Sequence, residues 1–379
     1  MNQHKLIIMK SFIISLLFLL FVFSCSKDEK PNPIPENINI KGKLLAPNNQ
    51  DPIVDAKVVA FQNNIKQYET TTDPEGVFVL NIPKGEYDIS LSKGLFSTQK
   101  QITVEGETTQ ENYKIEILPN IGVITGSYDN IESVLYGIGL VNPITGLPLF
   151  DIIDGITTNR TTTNKHYHGK NNGMANRNPI LDPNVSFSYT DLMSNPALLA
   201  SYDILFINCS SHSNNLLYEQ NLMDYVNNGG FLYVTDWSSS LLNTITNNDS
   251  DYLSFYTPRR SGQSLTTTST ILDGNLSAWL LLNFGISIND TVEINAFLPG
   301  WQVVDSYDAS TTISWLNGTV DYRDDTNTTV TENKGLAFTF LLGQGAIFYS
   351  SFHTENEAFD FTTTDRVMEY LVFEMTDIE

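Results

Sequence analysis

The chain has 379 residues and carries 21 Lys and Arg against 43 Asp and Glu, a formal charge of −22 at pH 7. An acid excess of this size excludes nucleic acid as a partner, because phosphate binding needs clustered basic side chains. With only two cysteines and 41% hydrophobic residues, stability has to come from burial, and the length provides for two cores of ordinary domain size.

Lys5 and Lys10 precede an apolar run from Ser11 to Ser24, which ends at Val22-Phe23-Ser24-Cys25. A membrane-spanning helix needs about 20 apolar residues. This core is shorter, follows a basic start and stops at a small residue, which is the pattern of an export signal. It resembles a bacterial lipoprotein signal with a lipobox. The resemblance implies removal of residues 1–24, lipidation of Cys25, and a membrane partner reached through that lipid. Cys209 would then be the remaining thiol, so no intramolecular disulfide is expected. Residues 25–37 contain Lys27, Asp28, Glu29 and Lys30 followed by Pro31, Pro33 and Pro35, a tether without apolar area to bury. The Ser-Lys-Asp-Glu group after Cys25 resembles the signal that sends Bacteroidota lipoproteins to the outer face of the outer membrane. The alternative for that group is a solvated linker.

From residue 38 to 118 the pattern turns to short alternating segments: Ile38 and Ile40, Val58 to Phe61, Val77 to Leu80, Tyr87 to Leu91, then Ile102 and Val104. Pro, Gly, Asn and Asp bound each one, so they read as strands joined by turns. Thr72-Asp73-Pro74-Glu75-Gly76-Val77-Phe78 and Pro83-Lys84-Gly85-Glu86-Tyr87, with Gly42 and Val54-Asp55-Ala56, give the segment a specific likeness. It resembles the carboxypeptidase-regulatory-like, transthyretin-like β-sandwich, an all-β module that acts as a spacer or scaffold. No catalytic cluster is visible within it.

Residues 119–379 change period again. Ile121 to Thr125 reads as a buried strand, followed by Ile131, Val134, Leu135 and Ile138 at helical spacing. Ile204 to Asn208, the amphipathic stretch Tyr218 to Val226, and Phe231 to Thr235 repeat the unit. Residues 157–183 are rich in Asn and Thr and read as an insertion. Leu336 to Leu342 and Ala346 to Ser351 look like an antiparallel pair. A final helix, capped near Thr364, carries Val367, Met368, Leu371, Val372 and Met375. The expected fold is therefore multidomain, an N-terminal sandwich plus a C-terminal α/β domain with a mainly parallel, flavodoxin-like sheet.

Ligands bind beyond the carboxyl ends of parallel strands, which singles out Gly126 to Asp129, Cys209 to His212, Asp236 to Ser240, and His353 to Glu355. The order of elements, Asn228-Gly229-Gly230 and Phe352-His353-Thr354-Glu355 resemble the class I glutamine-amidotransferase-like fold. That resemblance implies a catalytic His and Glu at His353 and Glu355, and a nucleophilic cysteine where this chain has Asp236. A carboxylate does not replace a thiolate in attacking an amide, and no glycine flanks it to permit a strained elbow. Amidotransfer is therefore not expected.

Other candidates have plainer alternatives. Ser238 is a shifted nucleophile or a loop serine. Cys209 pairs with His212 or His353, or is an inert core thiol. Ser210 keeps a binding role at the turn that supplies oxyanion donors in the resembling family. Trp237 is a ligand-binding face or a ring packed over the sheet end. His166 and His168, alternate residues of one segment, join His212, His353 or Asp236 in a zinc site, or lie in a polar insertion. Asp321, Arg323, Asp324 and Asp325 bind calcium or form a solvated loop.

The function expected is an outer-membrane, surface-exposed lipoprotein whose sandwich presents a non-catalytic α/β domain that binds a glycan or peptide through Trp237, Ser210 and His212. No cofactor is expected. The rivals are a hydrolase using His353 with Ser238 or Cys209, a metal-dependent site, and a structural protein with Trp237 and Trp301 both buried.

Overall fold

A computed structural model describes residues 37–106, 110–155, 181–209, 218–246, 251–354 and 361–378. Cys25, His166, His168, Ser210, His212 and Glu355 lie outside the described residues, as does nearly all of the insertion. No helix among the described residues is long and apolar enough to cross a membrane.

The first seven strands are β1 (Asn37–Leu45), β2 (Lys57–Gln62), β3 (Ile65–Thr71), β4 (Val77–Pro83), β5 (Gly85–Lys93), β6 (Phe96–Val104) and β7 (Glu111–Lys114). They form one sheet of order β4-β1-β7 and another of order β3-β2-β5-β6. The alternation seen in the sequence is the burial pattern: in β1, Ile38, Ile40 and Leu44 point inward while Asn37, Asn39 and Lys41 face out. The tight reversal at Asp73 to Gly76 is closed by the Asp73 carboxylate, which accepts the Val77 N–H at 2.8 Å.

The second part holds β8 (Ile121–Ile124), α1 (Ile131–Gly137), β9 (Asp151–Ile153), α2 (Tyr189–Ser194), α3 (Pro196–Leu199), β10 (Ile204–Ile207), α4 (Glu219–Asn227) and β11 (Phe231–Thr235). There follow α5 (Ser239–Ile245), β12 (Leu253–Phe255), β13 (Ser261–Gly262), β14 (Leu265–Ile271), α6 (Gly274–Phe284), β15 (Thr291–Phe297) and β16 (Val304–Tyr307). The chain ends with β17 (Thr312–Arg323), β18 (Thr329–Leu342), β19 (Gly345–Ser350) and α7 (Thr363–Glu374).

The main sheet runs β15-β14-β17-β18-β19-β11-β10-β8-β9, with β13 on β17. Strands β9, β8, β10, β11 and β19 are parallel. The remaining pairings, β19 to β18 and outward to β15, are antiparallel. This corrects the expectation of a mainly parallel, flavodoxin-like sheet: it is mixed. The physical difference lies in the two faces. Strands β8, β10 and β19 are buried at every residue, as parallel strands covered on both sides must be. In β14 the threonines alternate, buried at Thr267 and exposed at Thr266 and Thr268, as suits a sheet wet on one face.

Residues 38–379 form one compact unit. Trp279 of α6 donates its indole N–H to the Pro52 carbonyl at 2.8 Å. Lys93, buried at the end of β5, lies 2.9 Å from Glu374 and 2.8 Å from Asp377. Arg366 reaches Asp51 at 3.0 Å. Gly94 has φ 53 and sits so close to Thr376 that a β-carbon there would overlap its backbone. The sandwich is thus docked on the α/β part through buried polar contacts.

Candidate functional site

Strands β10, β11 and β19 are neighbours in register, with Ile207 opposite Val234 and Thr235 opposite Ser350. Each runs the same way, so the residues that follow them emerge together at one edge of the sheet. Those residues are Cys209, Asp236 and His353. Parallel strands lie about 4.8 Å apart, which lets short side chains from adjacent strand ends touch.

All three side chains are buried, and one ligating atom from each lies within 4.8 Å of the others. Asp236 Oδ2 is 3.3 Å from His353 Nε2 and 3.5 Å from Cys209 Sγ. Its second oxygen, Oδ1, accepts the Gln302 backbone N–H at 2.5 Å. Burial works against a charged imidazole, yet the Asp236 carboxylate and the Cys209 sulfur beside it outweigh it and hold His353 well above its ordinary pKa. Burial also pushes the Cys209 thiol up, against the opposing pull of His353. The Asp236 carboxylate is the partner that holds the imidazolium, since burial keeps Cys209 protonated.

Asp236 carries φ 41, in the left-handed region, and begins a short 3-10 turn, Asp236–Ser238, that leads into α5. The strained elbow is therefore formed without a neighbouring glycine, contrary to the sequence expectation. An aspartate tolerates this conformation better than most residues because its side chain can hydrogen-bond locally. Close approach elsewhere does need glycine. A β-carbon on Gly126 would lie only 2.0 Å from the Cys209 carbonyl oxygen, so the turn that follows β8 needs a residue without one there.

Around the trio, Asp129 is the buried organiser. Its Oδ1 accepts the Thr354 N–H at 2.8 Å and hydroxyl at 2.6 Å, and its Oδ2 accepts the Thr235 hydroxyl at 2.6 Å. It thereby ties together the ends of β8, β11 and β19, fixing the residues on either side of Asp236 and His353. Asn208 donates to Glu132 at 2.9 Å, which anchors the turn before Cys209.

The structure places the remaining described candidates differently. The Ser238 hydroxyl is buried and donates to the Asn208 carbonyl at 3.2 Å, a contact that braces the Cys209 turn. Trp237 is 47% exposed, and its indole N–H donates to the Gly300 carbonyl at 2.9 Å. The Arg259 guanidinium lies 4.9 Å from its ring centroid. Trp301, in contrast, is buried and donates to the Gln263 carbonyl at 2.9 Å. Asp324 caps the β17–β18 turn through Thr326 and Thr328, and Asp321 accepts the Thr331 hydroxyl at 2.5 Å. Asp321 and Asp324 thus serve the hairpin rather than converging on a cation. Among the described residues, Cys209, Asp236 and His353 are the group of His, Cys and acid side chains close enough to share an ion.

Asp129 lies in a strand end already singled out by the ligand-edge rule. Gln302 and Arg259 carried no signal, because they come from segments far away in sequence that only the fold brings near Asp236 and Trp237.

Residues 39–116 match the family model of the carboxypeptidase regulatory-like domain. This segment forms the two-sheet sandwich described above. Among solved structures, the 5-hydroxyisourate hydrolase of Klebsiella pneumoniae is similar at 13% identity, covering 21% of this chain and 89% of its own, with a TM-score of 0.19. A DUF3823 family protein from Parabacteroides merdae is 12% identical over 23% of this chain and 48% of its own, less than half its length, with a TM-score of 0.19. A ThuA-like protein from Parabacteroides merdae is 13% identical over 68% of this chain and 88% of its own, with a TM-score of 0.35. All three scores are below 0.5, and none of these likenesses says what this chain binds or converts. No curated protein is similar enough in sequence to count as a relative.

Proposed function

We propose that the chain is an envelope lipoprotein, held in the outer membrane by a lipid on Cys25, whose amidotransferase-like α/β domain captures a glycan or peptide and has lost the family's chemistry. The observation that carries this reading is the occupant of the elbow. Asp236 stands there with one oxygen held by the Gln302 N–H and the other facing His353. The histidine that would serve a nucleophile at the elbow faces a carboxylate there instead, so the elbow itself supplies no attacking group.

Capture is supported by Trp237 directly after Asp236. An exposed indole with the Arg259 guanidinium over its ring puts an aromatic and cationic surface at the sheet edge where ligands enter. The same exposure weighs against a purely structural role. A test is equilibrium binding to glycan and peptide panels, with Trp237→Ala as the control. The expected result is a ligand whose affinity falls about 10-fold or more in the variant, in keeping with the loss of one aromatic contact. Equal binding by both proteins would remove Trp237 from the site.

A hydrolase using Cys209 and His353 is the second reading, favoured by their proximity. Its weakness is geometric. In a nucleophile–His–acid triad the acid holds the imidazole nitrogen opposite the nucleophile, whereas Asp236 Oδ2 faces both the Cys209 sulfur and the His353 nitrogen. The three groups converge on one point instead of forming a relay.

A further inference from the structure

That convergence has a chemistry of its own. We propose that Cys209, Asp236 and His353 form a site for a zinc-class divalent metal ion, with three protein donors and one position left for water or a ligand atom. The inference deepens the capture reading, since it concerns the same strand ends and rests on that reading only for the site's use.

The distances fit. Zinc bonds sulfur at about 2.3 Å and imidazole nitrogen or carboxylate oxygen at about 2.0–2.2 Å, so a tetrahedral arrangement separates S and O by about 3.5 Å and N and O by about 3.4 Å. Asp236 Oδ2 lies 3.5 Å from Cys209 Sγ and 3.3 Å from His353 Nε2. One carboxylate oxygen therefore makes two edges of the same tetrahedral face. The donor set also selects the metal. The ion displaces the Cys209 thiol proton and one imidazolium proton to solvent, and the resulting thiolate with an imidazole and a carboxylate suits a borderline-soft ion such as zinc, and not calcium or magnesium, which take oxygen.

The surrounding contacts are those that orient ligands. The Gln302 N–H takes Asp236 Oδ1 and so turns Oδ2 toward the other two donors. Thr354, next to His353, is clamped by Asp129 through both its N–H and its hydroxyl. Ser238 braces the turn before Cys209 by its bond to the Asn208 carbonyl. Each donor thus follows a buried strand and is fixed by a neighbour that does not itself face the ion. All three donors are buried, which keeps competing water from a charged site and gives the ion a strong field on whatever occupies the fourth position.

The test uses the full-length protein purified in detergent, stripped with a chelator and titrated with Zn2+ alone against a chromophoric competitor, then with Co2+. The expected result is one ion per chain and a thiolate-to-cobalt charge-transfer band in the near ultraviolet that Cys209→Ser abolishes. Partners outside the first coordination sphere are worth about 10–100-fold in metal affinity, so Cys209→Ser, His353→Gln and Asp236→Asn should each weaken Zn2+ by more than about 100-fold. Where a variant does not fold by circular dichroism, Asp236→Asn decides, because its amide oxygen still accepts the Gln302 N–H. A wild type that loses Zn2+ to the competitor, or a Cys209→Ser protein that binds as tightly, overturns the site and leaves a hydrogen-bonded trio. Panel binding repeated with chelator present separates the two readings: ligand retained without any zinc affinity contradicts the metal site and leaves capture standing.

Discussion

Asp236 sits in a left-handed conformation that costs about 1 kcal/mol or more for a residue with a β-carbon. Its carboxylate offsets that cost by receiving the Gln302 N–H and facing His353 in a buried place. Asp236→Gly should therefore destabilise despite relieving the backbone. Removing the acceptor from two buried donors costs about 2–3 kcal/mol net of the strain released, read as a lower midpoint in urea unfolding; a stabilised variant would show that the carboxylate contributes nothing. Residue identity at this position was legible in the sequence, because strand, elbow and helix follow in order. Its conformation was not, because the contacts that hold an aspartate in the left-handed region come from Gln302 and Cys209, which only the fold brings to it. Cys209 could be placed at a strand end, with His353 as one of two candidate partners, but the choice depends on β10, β11 and β19 being neighbours, and strand order is not written in any one segment.

At the scale of elements, the apolar runs Ile204 to Ile207 and Phe231 to Thr235 announced the parallel strands, and the Val367 to Met375 stripe announced α7. The helix begins slightly earlier than expected, because Thr362 caps it in a reciprocal box with Asp365. Thr362→Ala should lower stability by about 1 kcal/mol, measured by thermal unfolding. The antiparallel pair of β18 and β19 was legible from Leu336 to Ser351, but the antiparallel strands beyond it, β14, β15 and β17, were missed. Threonine-rich strands among them, such as Leu265–Ile271, have weak alternation that reads as polar loop. Further along α7, burial pushes Glu374 up to about 7 from an ordinary 4.5, with Lys93 opposing and Asp377 and Asp273 adding to the rise. The unfolded chain ionises this group at the ordinary value, so its favourable contribution is complete below that value and lost as pH rises through about 7. The Tm of the wild type should consequently fall more between about pH 5 and pH 8 than that of Glu374→Gln. Parallel curves for the two proteins would place the pH dependence elsewhere.

For the molecule as a whole, the segment expected to act as a spacer is fastened to its neighbour. Lys93 is enclosed by Glu374 and Asp377, Trp279 reaches Pro52, and Phe96 packs on Phe373 with centroids 4.9 Å apart. None of this was legible, because Lys93 and Pro52 look like ordinary turn residues until the two parts are brought together. Burial of a lysine between acids opposes its charge, yet the Glu374 and Asp377 carboxylates raise its pKa and keep it ionised. Lys93→Ala should cost about 3 kcal/mol by stranding a buried acid, and should separate the unfolding of sandwich and α/β part in calorimetry. A single unshifted transition would mean that the docking contributes little.

A domain that captures without catalysing retains its ligand unconverted. Panel glycans and peptides incubated with the full-length protein, followed by mass spectrometry of everything bound and free, measure it directly. An intact ligand should be recovered, its retention lost in Trp237→Ala and not accompanied by new products. Products that form with the wild type and vanish with Cys209→Ser would contradict capture without catalysis and make the strand-end trio a hydrolytic centre.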